Sequence, residues 1–199
     1  VRAKGDLSHF YGVPRTTVTW ITPGKEVLDL ELPGDVKLET RNSMDQIEAE
    51  FVQGKIHAMF VSRLPKVFRE GNPNVARLFS DPQAEEERYL EAEGYFPIMH
   101  VLAFRKQLAQ REPELPKALY DIFEQARLQA LQRWADPNWS MVMWGRRELE
   151  RQETLWKFDP WRNGLEANRK NIERFALYSY EQGLTKRQLT PEELFVAIE

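Results

Sequence analysis

The sequence predicts an α/β first half followed by a nearly all-helical second half. Three observations carry this expectation. Ile56-His57-Ala58-Met59-Phe60-Val61 and Pro97-Ile98-Met99-His100-Val101-Leu102-Ala103-Phe104 are continuous apolar runs bounded by turn signals, the pattern of strands buried on both faces of a parallel sheet. A helix signal before the first run gives half of a βαβ unit. After Pro113 the apolar residues recur at helical rather than strand spacing. The segment around Tyr95 to His100 separates the halves and reads as a crossing between two lobes. Residues 1–97 form the expected α/β lobe, and 98–199 the crossing strand and the mostly helical C-terminal part of the other lobe.

Each element has its own signal. Leu7, Phe10 and Tyr11 read as the end of an amphipathic helix that stops at Gly12. Thr17 to Ile21 alternates and is β-branched, which predicts a strand. Glu26 to Leu32 alternates too, and the Pro33-Gly34-Asp35 turn then predicts a hairpin-like excursion into a short strand over Val36 to Glu39. Ser43-Met44-Asp45-Gln46 is a capping box that opens a helix carrying Met44, Ile47 and Phe51 on one face, closed by Gly54. Asp81-Pro82 starts another helix, with Pro at the first helical position. Its Glu85-Glu86-Glu87 run is a solvated face near the helix start, where the dipole favours acid. Leu115, Leu119, Ile122, Phe123, Ala126, Ala130 and Trp134 mark a long amphipathic helix. Trp139 to Trp156 and Glu166 to Gln182 predict two more, and Thr190-Pro191-Glu192-Glu193 opens a short terminal one.

Composition narrows the function classes. The chain has 199 residues, 28 Lys plus Arg against 31 Asp plus Glu, and a formal net charge of −3. A nucleic-acid binder would show a strong basic excess. No apolar run approaches the roughly 20 residues that span a bilayer, so no membrane partner is expected. There is no cysteine, which removes disulfides, thiolate metal sites and cysteine nucleophiles. The chain opens on Val1-Arg2-Ala3-Lys4-Gly5 with no Met and reads as a piece of a longer protein, so the absence of a visible signal peptide carries no weight.

No Gly-x-Ser-x-Gly, P-loop, Gly-x-Gly-x-x-Gly or His-x-x-x-His pattern is present. The candidates come from position instead. Arg63 sits just past the carboxyl end of the first apolar run, where open α/β folds meet their ligands. A guanidinium can grip a carboxylate through two parallel hydrogen bonds. Lys66 and Arg69 add charge nearby, with a solvated loop as their plainer reading. His100, beside Tyr95 at the proposed crossing, is a titratable group able to move a proton near neutral pH. A structural hydrogen bond is its alternative role. His9 reads as a surface residue and His57 as a satisfied core histidine. Trp134, Trp139, Trp144, Trp156 and Trp161 read as helix packing or a subunit interface, with the wall of a ring-binding pocket as the sharper alternative.

Four blocks together resemble the 4,5-dihydroxyphthalate decarboxylase family. They are Arg63-Leu64-Pro65 through Phe68-Arg69 and on from Gly71-Asn72-Pro73-Asn74 to Phe79; Gly94-Tyr95-Phe96-Pro97-Ile98-Met99-His100-Val101; Gly164-Leu165-Glu166-Ala167-Asn168-Arg169-Lys170; and Gln182-Gly183-Leu184 to Thr190-Pro191-Glu192-Glu193-Leu194-Phe195. Order and spacing fit from about Tyr11 onward. The sequence departs from the family at Leu64, Lys66, Val67 and over Phe158 to Asn163, positions that bear on substrate identity.

The resemblance implies a type 2 periplasmic-binding-protein-like fold: the second lobe plus the helical C-terminal part of the first, with the N-terminal part missing. It implies non-oxidative decarboxylation of 4,5-dihydroxyphthalate, or a related hydroxylated aromatic carboxylate, to protocatechuate. His100 would be the catalytic acid, and Arg63, Arg69 and Tyr95 would bind substrate. The chemistry needs no organic cofactor, and no cluster in this chain supports a divalent metal. A cytoplasmic location is expected, with a homo-oligomer or pairing with the missing N-terminal part. The chain alone is expected to be inactive. The alternative is a non-catalytic solute-binding protein or sensor of the same fold, periplasmic, in which Arg63 simply holds a small anion.

Overall fold

The computed structural model describes residues 1–24, 32–136, 138, 141–156 and 158–198. These form a helix-rich mixed α/β structure with a small parallel sheet. The order is α1 (Arg2–His9), a 3-10 turn (Arg15–Thr17), β1 (Thr19–Pro23), β2 (Lys37–Arg41), α2 (Met44–Val52), α3 (Lys66–Arg69), α4 (Pro82–Glu93), α5 (Lys106–Arg111), α6 (Leu115–Ala135), α7 (Gly145–Leu155), α8 (Leu165–Glu181) and α9 (Pro191–Leu194). Among the described residues no helix is long and apolar enough to cross a membrane. The chain divides into two compact units, Val1–Ala92 with Phe175–Leu189, and Glu93–Arg174 with Thr190–Glu199; the boundary falls inside α8.

The local signals give the helix ends they encode. The Ser43 hydroxyl accepts from the Gln46 backbone N–H at 3.2 Å, and the Gln46 side chain reaches back to Asn42 N–H at 3.2 Å. Asp81 accepts from Ala84 N–H at 3.0 Å ahead of Pro82. Thr190 and Glu193 complete a reciprocal capping box on α9. Gly54 and Gly94 take the left-handed φ of 72° and 70° that ends α2 and α4 without a Cβ penalty.

The first unit is built on the β1–β2 pair. The strands are parallel, in register Thr19↔Lys37 to Pro23↔Arg41. Trp20 is the buried residue of β1; its indole N–H donates to Arg15 C=O at 3.1 Å, and the Lys4 ammonium lies 4.6 Å from its ring centroid. Arg41 on β2 reaches Glu50 on α2 at 2.9 Å and holds that carboxyl below its usual range, with Gln46 contributing next. The start of α1 is tied to α4 and the last turns of α8 through Asp6. Its carboxylate accepts from Tyr89 OH at 3.1 Å, Tyr178 OH at 3.0 Å and Arg2 at 3.2 Å. Beside it, His9 pairs with Glu181 at 2.9 Å.

Gly5 is what lets α1 approach this closely. A Cβ built on it would lie 2.1 Å from Cδ2 of Tyr178, a ring that is 1% exposed. Gly5→Ala is expected to cost about 1–3 kcal/mol through overpacking. Gly34→Ala, which meets open space, should leave thermal denaturation nearly unchanged. Equal melting temperatures for the two variants would contradict the close approach.

The structure corrects the expectations for the two apolar runs and for His57. The apolar runs at 56–61 and 97–104 form no strand. Only Ile56 of the first is buried, and Phe60, Val61, Met99, Val101 and Leu102 are exposed. A strand exists only where a second backbone takes up its N–H and C=O groups, and no described segment pairs with these. His57 is accordingly exposed rather than a core histidine. The strand over Glu26–Leu32 lies, except for Leu32, outside the described residues; β2 pairs in parallel with β1. For the tryptophans the structure departs from helix packing, and the subunit-interface reading stays an expectation. Trp134, Trp144 and Trp161 are exposed, Trp156 is half-buried, and Trp139 lies outside the described residues.

The second unit is held by polar contacts more than by a core. On α6 the half-buried face carries Tyr120, Glu124, Arg127 and Leu131, while Ile122, Phe123 and Trp134 are exposed. Arg127 draws that face onto the following segment. It pairs with Glu124 and with Asp159, both at 2.5 Å, and Asn163 donates to Glu124 at 2.8 Å. Arg127 first, then Asn163, holds the Glu124 carboxyl below its usual range.

Candidate functional site

The four candidate residues lie on two stretches, one in each unit. In the first unit, α2 ends at Gly54, Ile56 anchors in the interior, and the chain runs without regular secondary structure past Phe60, whose ring lies 6.3 Å from that of Trp20. Arg63 follows on an exposed loop. Pro65, with its fixed φ of −58°, starts the single turn α3, and Arg69 is its last residue, also exposed. Gly71, at φ 72°, and the Asn72 side chain, which accepts from Asn74 N–H at 3.0 Å, shape the turn that follows. The Arg77 guanidinium then covers Phe68 at 5.3 Å.

Within this stretch Lys66 and Glu70 form a loose pair at 3.7 Å. Among the described residues Arg63 and Arg69 have no ion-pair partner, so two guanidinium groups six positions apart offer their donors to solvent. That is the chemistry of a carboxylate grip: five fixed donors on a cation that stays charged at every physiological pH.

In the second unit, α4 ends at Gly94 and the chain continues without regular secondary structure through His100. Tyr95 is buried, at 6% exposure, with the Lys170 ammonium 5.5 Å from its ring centroid. Phe96 lies 5.4 Å from the ring of Trp161. His100 is exposed, four residues beyond Phe96. An exposed imidazole can exchange protons with water and with a bound molecule.

Sequence reasoning missed what holds this second stretch. Three residues of α8 fasten it: Lys170 donates to Glu93 C=O, Asn171 donates to Phe96 C=O at 2.7 Å, and Arg174 reaches Glu93 Oε2 at 3.3 Å. Two sequence blocks 75 residues apart thus meet. The available signal was Asn171 directly before Ile172 on α8, a polar side chain beside the apolar face of a helix. Buried amides of that kind are nearly always spoken for.

Two open concavities, of about 600 Å³ along α5 and about 320 Å³ beside α1, are lined by none of the four candidates. Among the described residues no cluster of three or more His, Asp or Glu side chains is placed to hold a metal ion.

No family model matches the chain. Among curated proteins, the chain is 33% identical over 197 residues to a protein named 4,5-dihydroxyphthalate decarboxylase from Comamonas testosteroni, covering 95% of this chain and 60% of that protein. It is 28% identical over 95 residues to a protein of the same name from Pseudomonas putida, covering 45% of this chain and 37% of the other. The chain therefore spans about 60% of the length of the Comamonas protein. The blocks around Arg63, Gly94-Tyr95-Phe96-Pro97, Gly164 and Thr190 had pointed the same way, and a match across 95% of its residues supports the family of the proteins named 4,5-dihydroxyphthalate decarboxylase for this chain.

Proposed function

We propose that the full-length protein is a carboxy-lyase that converts 4,5-dihydroxyphthalate, or a closely related hydroxylated aromatic dicarboxylate, to protocatechuate and carbon dioxide, on a type 2 periplasmic-binding-protein-like fold. The observation that carries this reading is the match of 95% of the chain to a relative of that name. The exposed guanidinium groups of Arg63 and Arg69 and the exposed imidazole of His100 support it, because the reaction asks for those groups.

The chemistry balances without an oxidant. The hydroxyl para to the departing carboxylate pushes electron density onto the ring carbon that bears it. An acid delivers a proton to that carbon. The carbon–carbon bond then breaks, its electron pair restores the aromatic ring, and carbon dioxide leaves. One proton is consumed per turnover and ends on the ring. In this reading His100 supplies it and is recharged from solvent. Arg63 holds the carboxylate that stays, with Arg69 adding positive potential.

The test is direct. Full-length protein given 4,5-dihydroxyphthalate in heavy water should release carbon dioxide and yield protocatechuate with one deuterium at the ring carbon that lost its carboxylate. Tight binding of the dicarboxylate with no carbon dioxide released would overturn the reading.

A further inference from the structure

We infer that Asn171 is a positioning residue for His100: its amide, buried on α8, fixes the backbone at Phe96 and so sets where the imidazole stands. This deepens the proposed function and rests on that reading of His100.

Asn171 is 2% exposed, and its Nδ2 donates to the Phe96 carbonyl at 2.7 Å. The run from Phe96 to His100 forms no strand, so no ladder of backbone hydrogen bonds defines its path. Its course is set at its upstream end, by α8. Lys170 caps the Glu93 carbonyl and lies over Tyr95, and Arg174 takes the Glu93 carboxylate. These two contacts hold the stretch at Glu93 and Tyr95. The Asn171 bond lies nearest to His100; the bond is part-buried and its donor side chain is buried. A donor withdrawn from water changes partners less readily than the ammonium of Lys170, whose side chain is 58% exposed. The Trp161 ring lies 5.4 Å from the ring of Phe96 on the same stretch. Proton transfer to a ring carbon is sensitive to placement, and a shift of about 1 Å can cost on the order of 10²-fold in rate.

The experiment is a double-mutant cycle in the full-length protein, read alongside histidine NMR. Asn171→Ala should lower kcat by roughly 10–100-fold while KM moves less than about threefold, because substrate grip lies with other residues. In a His100→Ala background the same substitution should cost less than about threefold, since an acid that is absent cannot be misplaced. Asn171→Gln, which keeps the donor, should recover part of the loss. The ring signals of His100 are assigned by their loss in His100→Ala. Asn171→Ala should move the ring signals of His100 and leave those of His9 and His57 in place. Lys170→Met, at an exposed side chain, should shift His100 in the same sense by less; it decides the matter if Asn171→Ala does not fold.

Losses that multiply in the cycle, or His100 signals that stay put in both variants, overturn the inference. Wild-type protein without decarboxylase activity, or His100→Ala with normal turnover, overturns the proposed function or its acid instead, and the NMR arm alone then decides the role of Asn171.

Discussion

Replacing His100 with Ala is expected to lower turnover by roughly 10²–10⁴-fold, the usual size of a general-acid contribution. The expectation follows from the reaction. Protonation of the ring carbon is the step that commits the carboxylate to leave, and among side chains imidazole carries an exchangeable proton nearest neutral pH. Because His100 is exposed and four residues beyond the Phe96 anchor, its removal leaves the α8 attachments at Glu93 and Phe96 untouched, so folding should survive. The measurement is kcat and KM for the full-length protein, with His100→Asn as a variant that keeps some hydrogen-bonding capacity and loses the proton relay. The loss should fall on kcat, with KM changing far less. Near-normal turnover in His100→Asn would take this residue out of the chemistry while leaving the family membership intact.

Arg63→Ala should cost binding instead. A charge pair that is desolvated when substrate arrives is worth roughly 2–5 kcal/mol, or between about thirty-fold and several thousand-fold in affinity. Arg63 stands free of any ion-pair partner among the described residues, so its removal leaves no orphaned carboxylate and the variant should melt like wild type. Arg63→Lys keeps the charge and loses the two-pronged geometry, so it should fall in between. Calorimetric titration with 4,5-dihydroxyphthalate measures this without reliance on turnover. Unchanged affinity in Arg63→Ala would remove the residue from the site. An equal loss in Arg63→Ala and Arg69→Ala would show that net charge, and not geometry at one arginine, does the holding.

What the sequence made legible was local. The cap at Ser43, the Asp81-Pro82 start and the Thr190 box each complete within three residues, so a one-dimensional pattern contains the whole interaction. The apolar runs at 56–61 and 97–104 were misread for the complementary reason. Apolar continuity shows that a segment can be buried in a sheet, but a strand is a property of two backbones, and the second one is not encoded in the run. The α6 stripe gave the helix but not its buried face. Its apolar residues keep helical spacing, yet Arg127 and Glu124 turn the other face toward Asp159 and Asn163. At the candidate site, Arg63, Arg69, Tyr95 and His100 came from position along the chain and from the family blocks. The Asn171 contact to Phe96 spans 75 residues and joins a side chain to a carbonyl, an interaction with no periodicity to betray it.

The bond from Tyr178 to Asp6 closes 172 residues of chain. The first unit is assembled from both ends of the sequence, Val1–Ala92 and Phe175–Leu189. At synthesis rates of about 5–20 residues per second, α1 leaves the ribosome roughly 9–35 s before the last turns of α8 that pack onto it. During that interval Gly5, Asp6 and His9 have no ring, hydroxyl or carboxylate from α8 to meet. The order of manufacture therefore forces α1 to wait, and this unit completes its packing only after the last turns of α8 have emerged.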